Sequence, residues 1–153
     1  MRKCVSLVLI AILSAATLLA VEGKKAQYIG GTVSAIPEKA EGLFNTNLED
    51  NIVFTHKKGF WEVPYSQITG LEYGQKAGRR VGVAIMVSPF ALLSKKRNHF
   101  LSINFTDSEG KMQAAVFEIG KDIVRTTLTI LETRSGKKIE YQDDEARKTG
   151  VGA

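Results

Sequence analysis

The run Leu101-Ser-Ile-Asn-Phe-Thr106 narrows the fold more than any other stretch of this chain. Leu101, Ile103 and Phe105 alternate with Ser102, Asn104 and Thr106, the two-residue period of a strand with one buried face. Asp107-Ser-Glu-Gly110 ends it in a hairpin turn, with glycine as the last residue. Met112 to Ile119 returns as a second strand, with Phe117 and Ile119 on one face. The period then changes. Ile123, Val124, Thr127, Leu128, Ile130 and Leu131 fall on one side of a 3.6-residue wheel, and Asp122, Arg125, Thr129, Glu132 and Thr133 take the other. Gly120 or Asp122 can cap the start of this helix, and Gly136 fits the position just past its end. Its threonines are poor helix formers, so burial has to hold it. A hairpin followed by a helix that needs a sheet to lie on predicts an α+β, mainly β fold.

The segments upstream fit that class. Val21 to Gln27 is polar and reads as a linker. Tyr28-Ile-Gly-Gly-Thr-Val33 reads as a strand bent or bulged at its glycines. Pro37 to Gly42 is a charged loop, Leu43 to Thr46 a short strand, and Asn47 to Asn51 a turn. Ile52 and Phe54 face inward, and His56-Lys-Lys-Gly59 forms a hairpin loop. Trp61, Val63 and Tyr65 line one face of the next strand, opposite Glu62. Pro64 has no N–H, so that strand ends there or lies at an edge. Tyr65 to Gln67 turns the chain into a strand from Ile68 to Tyr73 with Ile68 or Leu71 buried. Lys137 to Gln142 reads as one more short strand, and Asp143 to Ala153 as a polar, frayed tail. The predicted core contains Trp61, Ile103, Phe105, Phe117, Val124, Leu128 and Leu131.

One stretch does not belong to this pattern. Residues 74–98 form an insertion whose middle, Val81 to Leu93, carries a single hydroxyl and no charge. Lys76, Arg79 and Arg80 precede it, and Lys95, Lys96 and Arg97 follow. No acid lies between Glu72 and Asp107. Three readings fit. The run can pack against the sheet with its cations solvated. It can lie at an anionic membrane surface, since the run from Val81 to Leu93 is too short to span a bilayer. It can meet a second copy or an unknown protein partner. The residues that carry the last two readings are the six cations with Phe90, Leu92 and Leu93.

The N-terminus has the layout of a signal peptide: Arg2 and Lys3, an apolar run from Val5, then small residues to Ala20. Cleavage after Ala20 or after Ala16 fits, and so does retention of residues 1–20 as an anchor. Each predicts export of the body, periplasmic or secreted if cleaved and tethered to the inner membrane if not. The sole cysteine, Cys4, lies in this segment, so the body has no disulfide and no cysteine metal site. Net charge is +5, and removing Arg2 and Lys3 leaves +3 on the body. That is too mild for a dedicated nucleic-acid binder, so no nucleic acid is expected.

Short antiparallel strands followed by one amphipathic helix, with the stretch Gly59-Phe-Trp-Glu-Val-Pro-Tyr-Ser-Gln-Ile-Thr-Gly-Leu-Glu-Tyr73, resemble the bacterial branch of the pleckstrin-homology-like superfamily and its GRAM-like relatives. The resemblance covers roughly residues 28–142. It implies an antiparallel bent sheet or partial barrel closed by the C-terminal helix. It also implies binding of lipid head groups, peptides or proteins instead of catalysis. The insertion departs from it, and no family binding residue carries over.

Catalytic chemistry is not legible. His56 sits in a hairpin loop and His99 on the inward parity of a strand. No His/Asp/Glu cluster has metal-ligand spacing, and Gly78 to Gly82 lacks the phosphate-loop pattern. The serines have no nucleophile-elbow context. Asn104-Phe-Thr106 spells a glycosylation sequon in mid-strand. No catalytic residue, metal or cofactor is predicted. The expected function is contact with a membrane surface or lipid head groups through the insertion, or, as the alternative, a periplasmic interaction or structural domain with the insertion packed in the core.

Overall fold

A computed structural model describes residues 23–75 and 98–151. These hold strands β1 (Lys24–Gly31), β2 (Glu41–Asn45), β3 (Asn51–His56), β4 (Gly59–Pro64), β5 (Ile68–Gly74), β6 (His99–Thr106), β7 (Met112–Ile119) and β8 (Ile139–Tyr141), with helices α1 (Val124–Ser135) and α2 (Asp144–Val151). The strands form one open sheet in the order β4-β3-β2-β1-β7-β6-β5-β8. Neighbours are antiparallel except β5 and β8, which run parallel, so the sheet is mixed where the sequence predicts an antiparallel one.

Aromatic contacts show how strongly the sheet curls. Trp61 on β4 meets Phe105 on β6 with ring centroids 5.6 Å apart. In a flat sheet five strand spacings, about 24 Å, would separate those strands. The curl closes around Phe117, which touches Phe44 and Phe54 at 5.0 Å, Trp61 at 5.5 Å and Tyr28 at 5.6 Å. Val124, Leu128 and Leu131 of α1 and Ala146 of α2 join this inner-face core. All seven residues of the predicted core are buried.

Local chemistry explains the ends of the elements. Gly110 takes φ +80° in the β6–β7 turn, and the Asp107 carboxylate there accepts from the Glu109 and Lys111 amides at 3.0 and 2.9 Å. Gly136 caps α1 in the left-handed region at φ +68°, its N–H bonded to the Glu132 carbonyl. The two-residue period breaks at a bulge between Ile68 and Gly70. This is why Ile68 and Leu71, of opposite parity, are both buried.

Several assignments change. β2 begins at Glu41, inside the stretch read as a charged loop. α1 is preceded by a short 3-10 turn and starts after Ile123 with no side-chain cap, so neither Gly120 nor Asp122 caps it directly. β1 begins at Lys24, inside the stretch read as a linker, because Ala26 packs inward between Ile119 and Gly42 on the flanking strands. His56 is the last residue of β3, not a loop residue, and stacks on Phe54 at 5.8 Å. The tail read as frayed contains α2, whose Ala146 is fully buried. Asp143 caps it, accepting from the Ala146 amide at 2.7 Å.

Candidate functional site

The insertion leaves β5 and returns to β6 at one end of the sheet, where Gly74 pairs with Phe100. Lys76, Arg79, Arg80, Phe90, Leu92, Leu93, Lys95, Lys96 and Arg97 lie outside the described residues, as does the N-terminal segment 1–20. The structure places the root from which the insertion springs, and the sheet face beside it.

The root is a buried polar pair. The Tyr73 hydroxyl and His99 Nδ1 are 2.6 Å apart, their rings stack at 6.1 Å, and Tyr141 meets Tyr73 edge-on at 6.1 Å. Burial, reinforced by Tyr141, pushes the Tyr73 phenol up to about 12. Burial, reinforced by the Lys121 charge, holds His99 below the ordinary imidazole value. Near neutral pH the pair is therefore a hydrogen bond between a protonated phenol and a neutral imidazole. The pair ties the strand before the insertion to the first residue of the strand after it. Local spacing gives no hint of it, because the whole insertion separates the two partners in the chain.

This pair makes stability fall with acid. Below 6.5, the ordinary value, the unfolded chain takes up a proton at this histidine that the folded chain refuses. The stability is present above that value and is lost as pH falls through the lower folded value. Wild-type protein should lose more thermal stability between roughly pH 7 and roughly pH 5 than a His99→Gln variant does. Glu118, whose carboxyl burial pushes up, works with the opposite sign and is common to both proteins. Equal losses would mean that His99 does not carry the effect.

The outer face of the sheet beside the root is unusually apolar. Ile29, Phe100, Ala114 and Val116 are buried there, yet none belongs to the core that receives the helices. Ser102 faces Val116 on one side and Glu72 on the other. Glu72 is buried and accepts a hydrogen bond from Gln142 at 3.3 Å. With the half-buried Glu118 it sets two carboxylates into this apolar surface.

A polar groove of ≈ 610 Å³ lies elsewhere, between the end of β2 and the start of α1. Asn45, Thr46, Asn47, Thr126 and Thr127 line it, with Phe44 as an apolar wall. Sequence reasoning missed it because one wall comes from early in the chain and the other from near its end. Among the described residues no group of three or more His, Cys, Asp or Glu side chains could hold a metal ion. Among the same residues no helix is long and apolar enough to cross a membrane. Comparison with protein-family models finds no match, and a search of the curated proteins finds none either.

Proposed function

We propose that this chain is a non-catalytic, exported or membrane-associated bacterial module of pleckstrin-homology-like form that meets an anionic membrane surface through its 74–98 insertion. The observation that carries the reading is the position of the root. Adjacent ends of β5 and β6, tied by Tyr73 and His99, bracket the segment of sequence that carries six cations and the uncharged run from Val81 to Leu93. Phe90, Leu92 and Leu93 contribute about 1.5–3 kcal/mol each when fully buried. Each cation near anionic lipid adds about 1 kcal/mol. Such contact is marginal alone and effective beside a retained N-terminal anchor. The curled meander with a helix on its inner face supports the family reading.

A second reading has its own observation. The buried stripe of Ile29, Phe100, Ala114 and Val116, with Glu72 and Glu118 beside it, offers both an apolar seat and opposite charge for the insertion. In this reading the run from Val81 to Leu93 packs onto the sheet, and the protein is a periplasmic interaction or structural domain.

Two variants separate the readings, assayed by liposome flotation of the body without residues 1–20 and by thermal melts. On membrane contact, Lys95, Lys96 and Arg97 all changed to Gln weakens flotation, most at low salt where screening is weak. Phe90→Ser with Leu92→Ser then weakens it at every salt concentration. On sheet packing, the Gln triple leaves stability within about 0.5 kcal/mol, and the Ser pair lowers the melting point. Wild-type body that associates with anionic vesicles no better than with neutral ones at low salt sinks the first reading.

A further inference from the structure

We infer that β4 is a docking edge at which two copies of this chain pair antiparallel about a two-fold axis through Phe60. Among the described strands β4 is one end of the sheet order and pairs only with β3. The β3–β4 turn consists of Lys57 and Lys58, between the paired His56 and Gly59. In such a hairpin the residues flanking the turn exchange both main-chain bonds, and bonded pairs recur at every second residue. His56 and Gly59, Phe54 and Trp61, and Ile52 and Val63 are therefore the bonded pairs. The N–H and C=O groups of Phe60 and Glu62 point to the open side. No turn, loop or cap bond among the described residues reaches them.

The side chains on this edge show what it fits. Phe60 is 65% exposed, the most exposed large apolar side chain among the described residues. Lys58 and Glu62 flank it at equal spacing, both exposed. When a second copy is added antiparallel with Phe60 opposite Phe60, Lys58 of each copy stands opposite Glu62 of the other. The register exchanges two bonds between the Phe60 groups and sends each Glu62 N–H to the Lys58 carbonyl of the second copy. It buries the two exposed rings together and makes two cross-strand ion pairs. A neutral or purely basic partner strand gains only part of this. The other end of the sheet offers no equal edge, since β8 has three residues before the chain turns into α2.

The test uses the full chain in neutral detergent, by sedimentation equilibrium over a wide concentration series. Wild-type protein is expected to dimerise reversibly. Glu62→Lys sets like charges opposite one another twice and weakens the dimer about tenfold. Adding Lys58→Glu to it restores the wild-type constant. Both positions are exposed, and melts confirm that the variants fold. In a Cys4→Ser background, Phe60→Cys forms a disulfide-linked dimer under mild oxidation and Glu62→Cys does not, because only the residue on the axis meets its own copy. Protein that is monomeric at every concentration overturns the inference and leaves the edge to a strand of another protein. A dimer indifferent to Glu62→Lys, or not rescued by the double change, overturns it as well. So does a dimer that crosslinks through residue 62 instead of residue 60.

Discussion

Phe117→Ala is expected to remove about 3–5 kcal/mol of the body's stability, enough to unfold it if it sits at the low end of the usual range. Phe117 is fully buried and touches four aromatic rings from β1, β2, β3 and β4. Those strands come from the half of the sheet that must curl over to meet it. Truncating a buried phenylalanine costs about 3–5 kcal/mol where the surroundings cannot collapse into the space. Here collapse would require the curl itself to tighten. A domain of this size has about 5–15 kcal/mol in total. Urea denaturation measures the loss, with Met112→Ala as control. Met112 starts the same strand and is 58% exposed, and its truncation should stay within about 0.5 kcal/mol. A loss below about 1 kcal/mol for Phe117→Ala would show that the ring is not the hub of the curl.

Gly42→Ala should be nearly as damaging for the opposite reason. A methyl group there runs into the Thr55 carbonyl oxygen and meets the Phe54 ring at 2.9 and 3.0 Å. The carbonyl is main chain on the paired strand, so relief requires β2 and β3 to separate. Phe54 cannot yield either, because it is fully buried against Phe117. Overpacking of this kind costs about 1–3 kcal/mol and occasionally more, and the upper end is expected here. Gly70→Ala is the comparison. Its methyl group stands 3.4 Å from the nearest atom, in the Asn104 side chain, an ordinary contact distance, so its cost should stay below about 1 kcal/mol. Melts that rank Gly70→Ala as the worse variant would contradict the argument.

Much of the fold is legible in the residues because one face of each main strand is apolar. Ile52 and Phe54, Trp61 and Val63, and Leu101, Ile103 and Phe105 announce their faces by alternation. Gly110 and Gly136 announce the turn and the helix end by conformations that other residues resist. The missing parts lack such signals. Lys24, Lys25 and Gln27 read as linker because their strand is held by Ala26 and its neighbours, not by its own composition. The parallel partner of β5 is set by where α1 delivers the chain, which no local pattern encodes. α2 is short, and its Asp143 cap is the one clue to it. The bulge at Ile68 hides which face is buried. For the site the sequence marks the insertion by charge and hydropathy. The Tyr73–His99 tie and the outer-face stripe exist only once β5, β6 and β7 lie side by side.

The short β8 has a consequence for how assembly stops. Two copies joined through β4 leave only their β5–β8 ends, and three paired residues running into a helix make a poor template for a further strand. The unit of β8 and α2 is held by that brief parallel seam, by the bond from the Gln142 amide to the Tyr73 carbonyl at 3.1 Å, by the Gln142–Glu72 bond at 3.3 Å and by Ile139 and Ala146 in the core. It should open before the rest of the sheet. Once it lifts away, β5 lies bare, and each chain carries two unguarded edges in place of one. A pairing that closed at two then has no geometric end, and growth becomes linear. C-terminal truncation before Ile139 should therefore turn the dimer into filaments or precipitate.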